Sequence, residues 1–192
     1  GQKQLDFYKG QAQQSLILAF HSGEVPYSED LELKADAISE ILNIRIIEEL
    51  REKIQGIYSG GTSASVEKIP YNNFQIVFQL PCGPEKIDTL LLAMNAEIES
   101  LKKNGPTEEV LNKVKQQWVE TYKTSLQENG TWLNRILRDR FPGAEADRFL
   151  NYEKYVNGLT PAQIKVAANI LLGGKNVFTA ILRPEVKKDD AK

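Results

Sequence analysis

Histidine and cysteine are almost missing from this chain: there is one of each, His21 and Cys82, in 192 residues. A single cysteine closes no disulfide within the chain, and a single histidine builds no multi-histidine zinc site in it. A dominant charge is missing too. Twenty-four Lys and Arg against 26 Asp and Glu leave a formal net charge of -2, so no broad basic field draws the chain to nucleic acid or to an anionic membrane surface. No stretch approaches the roughly 20 apolar residues of a membrane-spanning helix. The opening Gly1-Gln2-Lys3-Gln4-Leu5 lacks the apolar centre of a signal peptide. A leading glycine in place of methionine reads as a domain cut from something longer. The 41% of hydrophobic residues is enough for the core of one domain.

What is present is a regular order of elements. Residues 1–14 carry no apolar periodicity and read as an N-terminal extension. Ser15 to His21 is a short apolar run, the pattern of a strand buried on both faces. Ser28 then caps a helix with Glu29 and Asp30 in its first turn, where the helix dipole favours negative charge. Leu31, Ala35, Ile38 and Leu42, continued by Ile46, Leu50 and Ile54, predict a largely buried helix from Glu29 to Ile54. Tyr58 to Glu67 reads as extended, and Phe74, Ile76, Phe78 and Leu80 alternate as its hairpin partner. Helices follow from Pro84 to Asn104 and from Thr107 to about Ser125, then over Thr131 to Arg140 and Asp147 to Val156. Thr160-Pro161-Ala162-Gln163 spells a capping box for a helix ending near Leu172. Asn176 to Leu182 is a last strand, and Glu185 to Lys192 a charged tail. The order predicts an α+β fold: one domain over 15–184, an antiparallel or mixed sheet with helices packed mainly on one face.

Few residues offer chemistry by themselves. His21 has no second histidine at metal-ligand spacing and reads as a structural residue. Cys82, before Gly83-Pro84, reads as a buried thiol. Ser59-Gly60-Gly61-Thr62-Ser63 lacks the Gly-Lys-Ser/Thr of a phosphate loop and precedes a strand, so it reads as a close backbone approach. Asn129-Gly130-Thr131 matches a glycosylation sequon, a tripeptide that arises often by chance. Glu48, Glu49 and Glu52 read as a solvated helix face.

The segment from Leu50 to Tyr58 is different. It sets Arg51 in the last turns of a long apolar helix and Tyr58 seven residues later, at the mouth of the next strand. With Gly56 left-handed at the helix end, both side chains reach one rim of the sheet. A forked guanidinium suits carbonyls and carboxylates, and a phenol can donate to a developing oxyanion. The plainer reading stands beside this one: Arg51 as a favourable cation at a helix C-terminus, Tyr58 as an ordinary strand aromatic.

These features together resemble the pitrilysin/insulysin-type zinc peptidases, which include the mitochondrial processing peptidases. The resemblance runs from about Ser15 to Pro184. It is carried by Leu50-Arg51-Glu52-Lys53 with Tyr58, by Pro84-Glu85-Lys86-Ile87-Asp88, by Asn104-Gly105-Pro106-Thr107-Glu108-Glu109 and by the helix opening at Leu159-Thr160-Pro161. Catalytic domains of the family carry His-x-x-Glu-His and a downstream glutamate. Here the corresponding helix reads Asp36-Ala37-Ile38-Ser39-Glu40-Ile41-Leu42 and offers no histidine. The resemblance therefore implies a processing-peptidase/insulysin-like metallohydrolase domain of the non-catalytic, C-terminal kind. Such a domain closes the substrate chamber of a larger zinc metalloendopeptidase, whose catalytic domain, in the same chain or in a partner subunit, binds the zinc. It implies that Arg51 holds peptide backbone and that Tyr58 stabilises the transition state. Relatives place glycine where this chain has Gln55. A periplasmic or cell-envelope location follows by the same likeness if the source is bacterial. The alternative is a non-proteolytic assembly domain of this fold, as in respiratory-complex core subunits.

Overall fold

The alternation of Phe74, Ile76, Phe78 and Leu80 places these four side chains on one face of a strand, and all four are buried. That strand, β4 (Asn73–Cys82), anchors the fold in the computed structural model, which describes residues 1–57, 59–139 and 146–185. It pairs antiparallel with β2 (Ser15–Gly23) on one side and β3 (Gly61–Glu67) on the other. β5 (Val177–Arg183) pairs antiparallel with β2, and β1 (Gln2–Tyr8) lies parallel to β5 at the edge. The order is β1-β5-β2-β4-β3, a mixed five-stranded sheet.

The helices cover one face of it. α1 (Glu29–Ile46) buries Ile38, Ile41 and Leu42, α2 (Ile87–Asn104) buries Leu90 and Leu101, and α7 (Pro161–Leu171) buries Ile164 and Leu171. They meet Ile17, Ala19, Ile76, Phe78 and Ile181 from the sheet in one apolar core. Each fully buried Leu, Ile or Phe contributes roughly 1.5–3 kcal/mol, which is what holds the two layers together. Arg45 ties α1 to α2, donating to the Gly105 carbonyl at 3.2 Å beside Glu97 at 3.5 Å. α7 opens on the expected capping box, with both Thr160 and Gln163 bonds made. The predicted α+β fold with helices on one face is the fold observed.

Three expectations change in detail. Residues 2–8, read as an extension, form the edge strand β1. Its helix-side residues are Gln2, Gln4 and Asp6 and its apolar Leu5 and Phe7 point away from the helices, so it shows no burial pattern in sequence. The strand read as buried on both faces is fully buried on one only: Ser15, Ile17, Ala19 and His21 lie under the helices while Leu16, Leu18 and Phe20 sit half-buried on the other side. The stretch read as one helix over Asp147 to Val156 is two, α5 (Ala146–Leu150) and α6 (Tyr152–Asn157). Between α2 and α5 run α3 (Glu108–Ser125) and α4 (Asn129–Asp139). Arg140, the predicted end of α4, and the tail beyond Glu185 lie outside the described residues.

Candidate functional site

The long helix does not stay α-helical to its end. From Ile47 to Lys53 it widens into a π-helix, an uncommon geometry often found at functional sites. The Ile54 N–H reaches back five residues to the Glu49 carbonyl at 3.0 Å, and the Gly56 N–H six residues to Leu50 at 2.9 Å. The turn that ends it uses a left-handed residue, as C-terminal caps commonly do. That residue is Gln55, at φ 53°, and not Gly56. Gly56 is required for another reason: a Cβ there would stand 2.7 Å from Leu90 Cδ2. Because an L side chain in this region costs roughly 1 kcal/mol and Gln55 is exposed, Gln55→Gly is expected to stabilise the domain by about 1 kcal/mol. Urea unfolding of the two proteins checks this, and an unchanged or lowered midpoint contradicts it.

Arg51 sits on this π-helical segment with its side chain 54% exposed. Its one ion pair in view, Nε to Glu52 Oε1, is 3.5 Å long and open to water, a kind of pair that contributes about 0–1 kcal/mol. The guanidinium is thus carried at the end of the long helix and is largely open to water. Tyr58 lies outside the described residues. Its flanks are fixed to β4: Ile57 bridges Cys82, and Gly60 at φ 120° presses so close that a Cβ would meet the Gln79 carbonyl at 2.4 Å. The Ser-Gly-Gly stretch is therefore a close backbone approach, as its sequence predicts.

Two polar residues of α1 that the sequence pattern gave no reason to single out position this region. Asn43 Oδ1 accepts from the Thr62 N–H at 2.5 Å while its Nδ2 donates to the Thr62 carbonyl at 3.0 Å, and Ser39 Oγ donates to the same carbonyl at 2.7 Å. The clamp fixes the start of β3, just past the rim loop.

The α1 residues that align with the zinc-binding motif do not fit a metal. Ser39 is spent on Thr62. Asp36 opens on a groove of about 200 Å³ whose acids, Glu29, Glu32 and Asp36, stand among Arg135, Arg138 and Arg148, three fixed cations that would repel a dication. Loss of hydration in the groove and the nearby charge of Glu32 push the Asp36 carboxyl up to about 6, with Arg138 pulling the other way. Among the described residues no group of three or more His, Cys, Asp or Glu is placed to hold a metal ion. His21 is 6% exposed, edge-on to Phe78, with neither ring nitrogen bonded. Cys82 is buried and its thiol is pushed up by that burial, the opposite of an activated nucleophile.

The architecture is a mixed five-stranded sheet under one helical layer. The model of the Peptidase M16 inactive domain matches residues 2–118, and the chain belongs to that family. Solved structures agree in fold. The periplasmic protease PqqL from Escherichia coli matches at TM-score 0.82 and 18% identity, over 94% of this chain and 20% of that one. Its first half, solved separately, matches at TM-score 0.75 and 13% identity, over 95% and 42%. A peptidase M16 inactive domain from Pseudomonas fluorescens matches at TM-score 0.76 and 19% identity, over 96% and 44%. None of the curated proteins matches this chain. The chain thus spans a fifth to less than half of the solved chains it resembles. No described helix is long and apolar enough to cross a membrane.

Proposed function

We propose that this domain is the metal-free partner half of a larger zinc metalloendopeptidase, closing its substrate chamber and presenting Arg51 and Tyr58 to the peptide. The observation that carries the reading is Arg51: an arginine on a π-helical segment, more than half exposed, whose ion pair among the described residues is with its neighbour Glu52. Zinc, bound in another domain, supplies Lewis-acid chemistry to the whole enzyme. The share of this chain is to bind and orient. The Arg51 fork donates to substrate carbonyls, and the Tyr58 hydroxyl donates a proton-bridged contact to the oxyanion as it develops. A periplasmic or envelope location is part of the same proposal, supported by the likeness to a periplasmic protease.

Removing one charged hydrogen-bond donor costs roughly 1.5–3 kcal/mol. Arg51→Ala in the whole protein is therefore expected to lower kcat/KM for peptides about 10-fold to 100-fold, mostly through KM, since backbone holding acts before and during reaction alike. Steady-state kinetics on a peptide series reads this. An unchanged kcat/KM favours the second reading, a non-proteolytic assembly domain in which Arg51 is a solvated helix-end cation.

A further inference from the structure

The register of the sheet gathers polar residues at one edge. On the helix side, Gln2 of β1 stands beside Val177 of β5 and His21 of β2, and the next row sets Gln4 beside Thr179. Strand alternation turns these side chains toward the helical layer. Over them α2 brings Met94, Ile98 and Lys102, spaced four apart on one stripe, and residues 172–174, where the chain leaves α7, close one end. Between sheet and helix lies a cleft of about 440 Å³ lined by all of these residues.

His21 forms its floor. The residue is 6% exposed, and Nδ1 and Nε2 are both buried with no hydrogen-bond partner among the described residues. A neutral imidazole presents one N–H donor and one acceptor. Burying them unpaired costs free energy, so buried polar atoms as a rule have partners. The amides nearby are directed elsewhere: Gln2 Nε2 donates to the Gly174 carbonyl at 3.2 Å and Gln4 Nε2 to Asp6 Oδ2 at 2.9 Å. The Lys102 side chain is 18% exposed, whereas that of its partner Glu99, at 2.6 Å, is 69% exposed. The cation is sheltered in the cleft and its anion stands on the water side. Loss of hydration and the charge of Lys102 push the imidazole down to about 4. An anion set between the two side chains offsets that charge and accepts from the imidazole.

We propose that the cleft binds a small organic carboxylate of the size of an N-acylated amino acid: Lys102 and an N–H of His21 hold the carboxylate, and Met94, Ile98 and Leu172 cover its carbon body. Charge-assisted bonds of this kind are the strong ones. The volume lies in the range of small-molecule sites, which pair an apolar lining with a few placed polar groups. A single carboxylate matches the site better than a phosphate dianion does, because Lys102 is one cation shared with Glu99 and the imidazole is neutral. The site uses neither Arg51 nor Tyr58, so it stands or falls apart from the proposed function. The charged residues lining the cleft are Lys3 on β1 and Glu99 and Lys102 on α2, while the lining residues of β5 and of 172–174 carry no charge. A bound anion beside the imidazole favours protonated His21. Binding therefore tightens as pH falls from 7.5 to 5, while the ligand's carboxyl, at about 3.5, stays ionised.

Isothermal titration of the whole protein with N-acetylalanine tests this, beside N-acetylalanine amide, which keeps the body and lacks the carboxylate. The acid is expected to bind with a Kd of about 1 mM or tighter, and the amide at least about 10-fold more weakly. At pH 5.5 the acid is expected to take up a proton, seen as a heat that changes with the ionisation enthalpy of the buffer. Lys102→Met is expected to weaken the acid about 10-fold to 100-fold, the worth of one charged hydrogen bond, and Lys102→Arg to restore most of it. Asn95→Trp, at an exposed position on the α2 wall, plugs the cleft without altering His21 or Lys102. It is expected to abolish binding, and it keeps the test decisive if Lys102→Met fails to fold. Binding of neither probe means that the cleft holds water only, and overturns the proposal. Equal binding of acid and amide overturns it too, as does acid binding that survives both Lys102→Met and Asn95→Trp, the behaviour of a carboxylate held at a zinc ion elsewhere.

Discussion

Tyr58→Phe in the whole protein is expected to lower kcat for peptide hydrolysis about 10²-fold to 10³-fold with KM little changed and zinc content intact. That range is the measured worth of one oxyanion donor, roughly 2.7–4 kcal/mol. It appears in kcat because the contact strengthens only as charge builds on the oxygen, which separates it from the KM effect expected at Arg51. The substitution deletes a single hydroxyl, and the loop around it keeps its own anchors at the Ile57–Cys82 bridge and at Gly60 against Gln79. A fall in kcat with an unaltered melting temperature is therefore a chemical effect. If kcat stays within 3-fold of the parent, position 58 takes no part in the transition state.

The second large effect belongs to His21. Burial, helped by the charge of Lys102, lowers its pKa from 6.5 to about 4, so the folded domain holds it neutral. An unfolded chain takes up the proton near pH 6.5 and the fold resists doing so until about 4. Stability from this residue is thus complete above pH 6.5 and is lost as pH falls toward 4, by about 3 kcal/mol in all. Asp36 acts in the opposite sense, since its carboxyl is held up at about 6 and the fold favours its protonated form. Comparison with His21→Gln removes that term. Urea unfolding between pH 7.5 and 4 should show the parent losing stability relative to the variant, and His21→Leu serves if the glutamine disturbs the core. Because the chain has one histidine, its imidazole NMR signal also reports the titration unambiguously. A midpoint near 6.5 in the folded protein contradicts the burial argument.

How much of this was legible beforehand depends on what burial writes into a sequence. β4 was plain because one of its faces is core, and alternation at period two records that directly. α7 was plain because Thr160 and Gln163 satisfy local donors whatever lies around them. β1 was invisible because an edge strand with Gln2, Gln4 and Asp6 toward the helix side and apolar residues on an uncovered face carries no burial period. Propensity alone places the left-handed residue of the helix end at Gly56. The hydrogen bonds of the π-helix span one residue more than those of an α-helix, the left-handed residue is Gln55, and Leu90 packing keeps Gly56 small. The place of Arg51 near the end of the long helix was readable, since the apolar period runs on to Ile54. The Asn43 clamp on Thr62 was not, because two hydrogen bonds across 19 residues leave no local pattern.

The absence of a second histidine frames the central claim, that this domain does its chemistry in company. Zinc analysis and peptide hydrolysis on the whole protein, run beside the 192-residue chain alone, test it most directly. The account predicts that the whole protein retains zinc and cleaves peptides while the chain alone does neither. Zinc held tightly by the chain alone, or a folded, zinc-loaded whole protein that cleaves no peptide, would contradict it.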